Sequence, residues 1–202
     1  MTATLGVILG GGTARRMGGG DKGLLTLGGR TILSRVVERL APQVGALALN
    51  ANDDPRRFAD VGLPVLADPV PDRPGPLAGV LAGLIWAEAQ GARQIVTAAW
   101  DTPFLPVDLV ARLDAARSEA TPIVLAASGG HRHPTFGLWP VALKDALRTA
   151  LDEGTRKIVV WTDAQGCASV DFAGDPDPFF NVNTPEDLAA ADVSHRASVR
   201  HA

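Results

Sequence analysis

The sequence predicts an α/β fold in which a mostly parallel sheet carries helices on both faces. Short apolar runs alternate with segments whose apolar residues recur three or four positions apart, as in sheets with helical crossovers. Two strand-like runs separated by a Gly/His turn predict an antiparallel edge. No linker interrupts the pattern, so we expect a single domain over residues 1–191. Residues 192–202 lack periodicity and are expected to form a loose tail.

Each element is placed by its periodicity and by the residues that end it. Most predicted strands are apolar runs that stop at a glycine, a proline or a polar residue, and they span residues 5–9, 44–49, 64–67, 95–100, 123–127, 135–139 and 169–172. Helical spacing predicts helices at residues 31–40, 77–89, 106–117, 141–151 and 184–191. The last helix begins at a capping sequence, Thr184-Pro185-Glu186-Asp187. Residues 158–162 fit a strand or a helix.

Composition excludes several classes of protein. The chain of 202 residues carries 19 Lys and Arg against 22 Asp and Glu, and this net charge of −3 argues against a general nucleic-acid binder. A hydrophobic content of 46% argues against disorder. The longest apolar stretch, residues 77–87, is shorter than a membrane helix, and the N-terminus lacks a signal-peptide pattern. The single cysteine, Cys167, permits no internal disulfide, so a reducing cytoplasmic location is expected.

Polar residues directly follow three of the predicted strands. Asn50, Asp68 and Asp101 each come at the carboxyl end of an apolar run. Asn and Asp also favour strand ends as turn or cap residues, which is the simpler explanation for any one of them. Because ligands bind at the carboxyl edge of open α/β sheets, the three together, beside a glycine loop, predict a binding site.

The glycine loop, residues 9–25, reads LGGGTARRMGGGDKGLL. It matches no Walker A loop, and its one dinucleotide-type spacing does not directly follow a strand. Glycines let backbone N–H groups approach an anion, and Arg and Lys add positive charge. Residues 10–30 hold four basic residues and one acidic residue, so their net charge of +3 leaves −6 for the rest of the chain. The loop therefore predicts a small polyanionic ligand.

The residues from Leu9 to Lys22 resemble the signature loop of nucleotidyltransferases with a glycosyltransferase-A-like fold. More narrowly, the chain resembles the molybdenum cofactor guanylyltransferases. Further motifs follow in the same order as in that family, at residues 50–52 (NAN), 75–79 (GPLAG), 101–106 (DTPFLP), 133–134 (HP) and 181–187 (NVNTPED). The resemblance covers residues 5–190 and implies a three-layer, Rossmann-like fold. Gly10, where the family usually has alanine, is a departure.

The resemblance implies transfer of GMP from GTP to the terminal phosphate of molybdopterin, with release of pyrophosphate. Because the attacking group is already an anionic phosphate, the reaction needs neutralisation and alignment of charge rather than a general base. Asp101 is the candidate Mg²⁺ ligand, and Lys22 and Arg16 would neutralise the triphosphate. The implied nucleotide contacts are Leu9, Gly10, Gly11, Gly12, Lys22, Asn50, Asp68, Gly79 and Asp101. The implied molybdopterin contacts are Asn181, Asn183 and Arg156.

Other functions remain open on the sequence alone. A cytidylyltransferase for the same cofactor shares the loop and the Asp101 motif, and a sugar-phosphate nucleotidyltransferase is a third alternative. A catalytically silent nucleotide-binding protein is disfavoured because Lys22, Arg16 and Asp101 are all present. Beyond its substrates, the protein is expected to meet cofactor-delivery proteins or apo-molybdoenzymes, and neither nucleic acid nor a membrane.

Several candidate residues have simpler explanations. Gly79 suits close packing of an apolar helix, and Arg156 suits an exposed charge at a helix end. His131 and His133 form an H-x-H pair, but no other histidine lies near them in the sequence, so a zinc site is not predicted. No spacing typical of a Ser/His/Asp or Cys/His catalytic group is recognisable.

Overall fold

A computed structural model describes residues 3–11, 22–52, 54–71 and 75–200, with side chains as far as Arg196. The strands are β1 Leu5–Leu9, β2 Thr26–Leu27, β3 Arg30–Thr31, β4 Leu47–Asn50, β5 Val65–Leu66, β6 Gln94–Ala99, β7 Ile123–Ser128, β8 His131–Pro140 and β9 Cys167–Asp171. The helices are α1 Ile32–Leu40, α2 Pro76–Ala89, α3 Leu109–Ala115, α4 Lys144–Asp152, α5 Ile158–Gln165 and α6 Pro185–Arg200. Short 3-10 helices occur at Lys22–Leu24, Ala41–Gln43, Pro55–Val61 and Val141–Leu143. In the part of the chain so described, no helix is long and apolar enough to cross a membrane.

Seven strands form one sheet in the order β5, β4, β1, β6, β8, β7, β9. β1 pairs in parallel with β4 and β6, and β5 extends this half of the sheet in parallel. β8 runs antiparallel between β6 and β7. The predicted mostly parallel α/β fold is confirmed. Its antiparallel strand, β8, lies inside the sheet rather than at the edge, because β7 and then β9 extend the sheet beyond it.

Helices cover both faces of this sheet and form two hydrophobic cores. Successive residues of β1 point to opposite faces. Val7 therefore packs with α2, α4 and α5, whereas Ile8 packs with α1 and α3. A third, smaller cluster joins α6 to the β2–β3 hairpin and includes Leu27 and Ala191. The result is the expected three-layer arrangement of helices, sheet and helices.

The structure changes several predicted boundaries. Residues 158–165 form α5, so the ambiguous segment 158–162 is helical. α6 continues to Arg200, so residues 192–200 are helical where the sequence predicts a loose tail. His195 packs this part of α6 against α1, because its Nε2 atom lies 3.1 Å from Nη2 of Arg35. The β2–β3 hairpin and the 3-10 helix Pro55–Val61 have no counterpart among the predicted elements, since elements this short carry no periodic signal.

Candidate functional site

The polar residues that follow the parallel strands meet at one edge of the sheet. β1, β4 and β6 run in the same direction, so their carboxyl ends lie side by side. The Gly10 N–H donates to the Asn50 carbonyl at 2.7 Å, and the Trp100 N–H donates to the Leu9 carbonyl at 3.2 Å. These two hydrogen bonds fix the start of the glycine loop between Asn50 and the residues that lead to Asp101.

Two asparagine side chains hold the carboxylate of Asp68. Asn50 Nδ2 donates to Asp68 Oδ1 at 2.9 Å, and Asn52 Nδ2 donates to Asp68 Oδ2 at 2.7 Å. Asn52 also accepts from the Asp68 N–H at 2.8 Å, and Asn50 Nδ2 reaches the Leu66 carbonyl at 3.0 Å. Because each side chain has several partners, the network holds Asn50 and Asp68 in one arrangement beside Gly10.

Gly79 on α2 lies directly against Asn50. A methyl group at position 79 would clash with Asn50 Oδ1 and stand 2.9 Å from Leu9 Cδ2. Gly83, one turn later, faces apolar side chains instead, since a methyl group there would stand 2.7 Å from Val7 Cγ2 and 2.9 Å from Ile95 Cδ1. Both glycines therefore serve close packing, as the simpler explanation predicts. Gly79 differs in that it borders two of the predicted nucleotide contacts.

Lys22 and Asp101 form the charged part of the site. Lys22 Nζ lies 3.9 Å from Asp101 Oδ2 and donates to Asn183 Oδ1 at 2.5 Å. The two side chains are only 17% and 11% exposed. Burial raises the pKa of Asp101 above its usual value, because the ionised carboxylate loses water, and the attraction of Lys22 offsets part of this. A further cation beside Asp101 would therefore stabilise the ionised carboxylate.

The segment 177–183 carries two asparagines to this charged pair. The Val182 N–H donates to the Asp101 carbonyl at 2.9 Å. Thr102, which follows Asp101 in the sequence, donates from its Oγ1 atom to Asn181 Oδ1 at 2.6 Å. Asn183 reaches Lys22 as described above. Of the two residues predicted to bind molybdopterin, Asn183 thus contacts Lys22 directly, and Asn181 contacts Thr102, the residue that follows Asp101.

The start of α6 fixes the far end of this segment. Asp187 Oδ2 accepts from the N–H groups of Asn183 and Thr184, both at 2.9 Å. The Asp187 N–H in turn donates to Thr184 Oγ1 at 3.1 Å, which is the reciprocal pattern of a capping box. The capping sequence predicted for this helix is therefore confirmed, and it holds Asn183 at the helix entrance.

Asp101 has the chemistry of a ligand for a hard cation that is shared with a substrate. Among the described residues, no three His, Cys, Asp or Glu side chains come together as a metal site. Mg²⁺ does not need such a group, because it usually keeps several waters and binds one or two carboxylates together with substrate phosphates. A buried carboxylate whose ionised form lacks water fits that role.

Arg156 stays apart from this cluster in its described contacts. It lies between α4 and α5, where its Nη1 atom donates to two backbone carbonyls near the end of α4, at 2.8 and 2.9 Å. This is the helix-end role that the sequence offered as the alternative. Gly12 and Arg16 lie outside the described residues. Gly11 is described and exposed, and a methyl group there would meet no neighbour within 4 Å.

Two side chains of the site are not among the candidate residues predicted from the sequence. Asn52 provides the second amide donor to the Asp68 carboxylate, and the Thr102 hydroxyl donates to Asn181. Both belong to motifs already noted, at residues 50–52 and 101–106. The usable signal was the N-x-N spacing, which places both asparagine side chains on the chain leaving one strand end.

The Asn50 carbonyl and the Trp100 ring together explain the glycine at position 10. A methyl group at position 10 would stand 2.6 Å from the Asn50 carbonyl oxygen and 3.1 Å from Cε3 of Trp100. Gly23 faces the same ring, with a methyl group there 2.9 Å from Cε3. Trp100 is 3% exposed, and its indole N–H has no partner in the described part of the chain. The Asn50 carbonyl oxygen is therefore the main obstacle to a side chain at position 10, and the Trp100 ring fills the space beside it.

A family model for the MobA-like NTP transferase domain matches residues 6–166 of the chain, which include both the glycine loop and the Asp101 motif. The chain belongs to the MobA-like NTP transferase family. Among relatives in this family, the molybdenum cofactor guanylyltransferase of Bradyrhizobium sp. (strain ORS 278) is 54% identical over 196 residues, covering 95% of this chain and 92% of that protein. The molybdenum cofactor guanylyltransferase of Mesorhizobium japonicum is 52% identical over 193 residues, covering 92% and 93%.

Solved structures of more distant nucleotidyltransferases share the fold. Molybdopterin-guanine dinucleotide biosynthesis protein A of Archaeoglobus fulgidus superposes with a TM-score of 0.74 at 23% identity, covering 96% of this chain and 100% of that one. The 4-diphosphocytidyl-2C-methyl-D-erythritol synthase of Anaerococcus prevotii superposes with a TM-score of 0.75 at 12% identity, covering 96% of both chains. The predicted nucleotidyltransferase fold is therefore confirmed for this member of the family.

Proposed function

We propose that this protein transfers GMP from GTP to the terminal phosphate of molybdopterin, forming molybdopterin guanine dinucleotide and pyrophosphate. The family establishes the nucleotidyltransferase class, and relatives more than 50% identical to this chain are named molybdenum cofactor guanylyltransferase. The observation that carries the proposal is the contact of Lys22 with Asn183 beside Asp101. This contact joins the glycine loop to the two later motifs that the reaction requires.

The nucleotide would lie at the carboxyl edge of β1 and β4. The described backbone of residues 9–11 is flanked there by the Asn50–Asp68 network. An amide and a carboxylate suit guanine, whose edge offers both donors and acceptors. Gly79 supports this arrangement, because any side chain at that position would displace Asn50.

The phosphates would lie beside the pair formed by Lys22 and Asp101, whose charged atoms are 3.9 Å apart. Lys22, with Arg16 from the glycine loop, neutralises the triphosphate and the leaving pyrophosphate. Asp101 would hold Mg²⁺ together with phosphate oxygens, and that ion supplies further charge neutralisation and Lewis-acid polarisation of the phosphoryl group. The burial of Asp101 favours such a cation, as its raised pKa indicates.

The reaction then needs two anions held in line. An oxygen of the molybdopterin phosphate forms a bond to the α-phosphorus of GTP, the bond from that phosphorus to the bridging oxygen breaks, and pyrophosphate leaves with the electron pair. No proton has to be removed from the attacking group. Asn181 and Asn183 would orient the acceptor beside Lys22 and Asp101. Arg156 remains a candidate for the acceptor phosphate, although its described contacts cap α4.

The substrates of this reaction indicate its partners and its location in the cell. GTP and molybdopterin are small cellular anions, and apo-molybdoenzymes or cofactor-delivery proteins would receive the product. We place the protein in the cytoplasm, in keeping with its one cysteine, the half-buried and unpaired Cys167.

The test is to offer GTP, CTP, ATP and UTP separately with molybdopterin, with and without MgCl₂, and to measure pyrophosphate and the dinucleotide product. We expect product with GTP and Mg²⁺, and loss of turnover when EDTA removes the metal. Preferential turnover of CTP would replace the proposal with the cytidylyl reaction. Turnover of no nucleotide would refute the proposed activity.

A further inference from the structure

A serine, a histidine and an aspartate meet at the same edge of the sheet as Asp101. Ser128 ends β7, His133 lies in the first part of β8, and Asp177 belongs to the loop after β9. Ser128 Oγ lies 2.7 Å from His133 Nε2 and 3.0 Å from Asp177 Oδ1. No spacing in the sequence signals this cluster, because Asp177 reaches it from a distant part of the chain.

The available donors determine the hydrogen positions in this cluster. Asp177 Oδ1 accepts from the Phe179 N–H at 2.9 Å and from the Ser128 hydroxyl. The one hydroxyl hydrogen of Ser128 is thereby used, so its oxygen accepts from His133 Nε2–H. This direction is the reverse of a catalytic triad, in which the serine donates to the histidine. The arrangement therefore serves to hold parts of the chain together rather than to activate a nucleophile.

The surroundings of His133 keep the cluster rigid. Ser128 is 7% exposed, and the His133 ring packs against Phe179 with centroids 4.6 Å apart and the ring planes tilted by 30°. Phe179 also contacts Phe136, with centroids 4.8 Å apart. Burial is the main cause that lowers the pKa of His133; His131 lowers it further, and Asp177 raises it. The imidazole is consequently neutral near pH 7, with its proton on Nε2.

The cluster and the active edge share one short piece of chain. The segment 177–183 begins at Asp177, and within six residues it supplies Asn181, Val182 and Asn183 to Thr102, Asp101 and Lys22. We infer that Ser128, His133 and Asp177 form a positioning relay that fixes this segment, and through it Asn181 and Asn183, against Lys22 and Asp101. The acceptor-binding consequence of this inference rests on the proposed function.

The kinetic test uses full-length Ser128→Ala, with Ser128→Thr to restore the hydroxyl. The matched control is Thr162→Ala, because Thr162 is a fully buried hydroxyl on α5 that donates to the Val159 carbonyl away from the segment. We expect S128A to raise the KM for molybdopterin about tenfold, as loss of a buried hydrogen bond would, and to change the KM for GTP less than about twofold. S128T should restore the KM for molybdopterin to its original value, and T162A should leave both KM values unchanged.

A second measurement does not depend on activity. The Val182 N–H donates to the Asp101 carbonyl, so its hydrogen exchange reports whether the segment is seated. We expect S128A to speed exchange at Val182 about tenfold relative to Val96 in β6, and T162A to leave that ratio unchanged. His133→Gln, which keeps an N–H donor, should stay closer to the original protein than His133→Phe, which keeps only the ring.

These measurements distinguish failure of the proposed function from failure of the relay. If the unchanged protein makes no product from GTP and molybdopterin, the proposed function fails, and exchange at Val182 alone decides the relay. If product forms but S128A matches T162A in both KM and exchange, the relay is overturned. Equal behaviour of H133F and the original protein would also overturn it, since the hydrogen bond would then do nothing.

Discussion

Replacing Gly79 by alanine tests whether Asn50 must keep its described position for the nucleotide to bind. The new methyl group would clash with Asn50 Oδ1 and stand 2.9 Å from Asn50 Cγ and from Leu9 Cδ2. Carbon atoms pack comfortably at about 3.5–4.0 Å. α2 has little room to retreat along the sheet, because Gly83 on its next turn is already close to Val7 and Ile95. Asn50 must therefore rotate away and give up its hydrogen bond to Asp68.

Two opposing effects determine how much G79A changes the free energy of unfolding. Alanine in place of glycine inside a helix favours folding by about 1 kcal/mol, whereas overpacking costs about 1–3 kcal/mol. The free energy of unfolding should therefore fall by no more than about 2 kcal/mol. Loss of a hydrogen bond to a charged group costs about 1.5–3 kcal/mol, so the KM for GTP should rise roughly 10- to 100-fold if that arrangement binds the base.

Steady-state kinetics with varied GTP measure this effect, and Gly83→Ala is the matched control. G83A adds a methyl group of similar steric cost on the same helix but against apolar neighbours, so it should lower stability without raising the KM for GTP. In the double variant with Asn50→Ala, G79A should add little to the KM, because its target is already gone. A KM for GTP that is unchanged in G79A, or raised equally in G83A, would refute the reasoning.

Three further perturbations test other parts of the site. Asp101→Asn should lower turnover about 100-fold or more while shifting the Tm by less than about 4 °C, because the amide removes a buried charge; kinetics with MgCl₂ titration and thermal denaturation check this. Asn52→Ala removes one of two amide donors from Asp68, so the KM for GTP should rise about fivefold in the same kinetic assay, with kcat nearly unchanged. Burial lowers the pKa of His133 from 6.5, so the unfolded chain takes up the proton first, and the free energy of unfolding falls as pH drops through 6.5 and levels off below the folded pKa. Denaturation between pH 8 and pH 5 should show a shallower fall in the free energy of unfolding for H133Q than for the original protein. The pKa of His195 is also lowered, and its contribution is the same in both proteins.

The parts of the site that the sequence predicts are those set by local rules. Asn50, Asp68 and Asp101 each follow an apolar strand, and parallel strands bring their carboxyl ends to one edge whatever the detailed order of the sheet. The observed hydrogen bond of 2.9 Å between Asn50 and Asp68 bears out that placement. The packing role of Gly79 and Gly83 is also predictable, because small residues four positions apart on an apolar helix indicate close packing.

The parts that escape prediction depend on how distant segments meet. The relay of Ser128, His133 and Asp177 requires the hairpin β7–β8 to lie beside the loop after β9, which no spacing within either segment reveals. The extension of α6 to Arg200 is similar, since residues 192–200 lack an apolar stripe. A contact between His195 and Arg35 stabilises this region instead, and that contact joins residues 160 positions apart.

The charges of the described site also limit how the proposed reaction can work. Lys22 is the cation beside Asp101, and the two charges cancel over 3.9 Å, so the pair offers no net attraction to two polyanions. Arg30 is paired with Glu38, so the remaining positive charge of the glycine loop comes from Arg15 and Arg16, while Mg²⁺ would offset Asp101 and release Lys22 to the phosphates. On this reasoning the metal and the loop act together, and removing either should cost more turnover than its own charge suggests, because the remaining one must still neutralise both substrates.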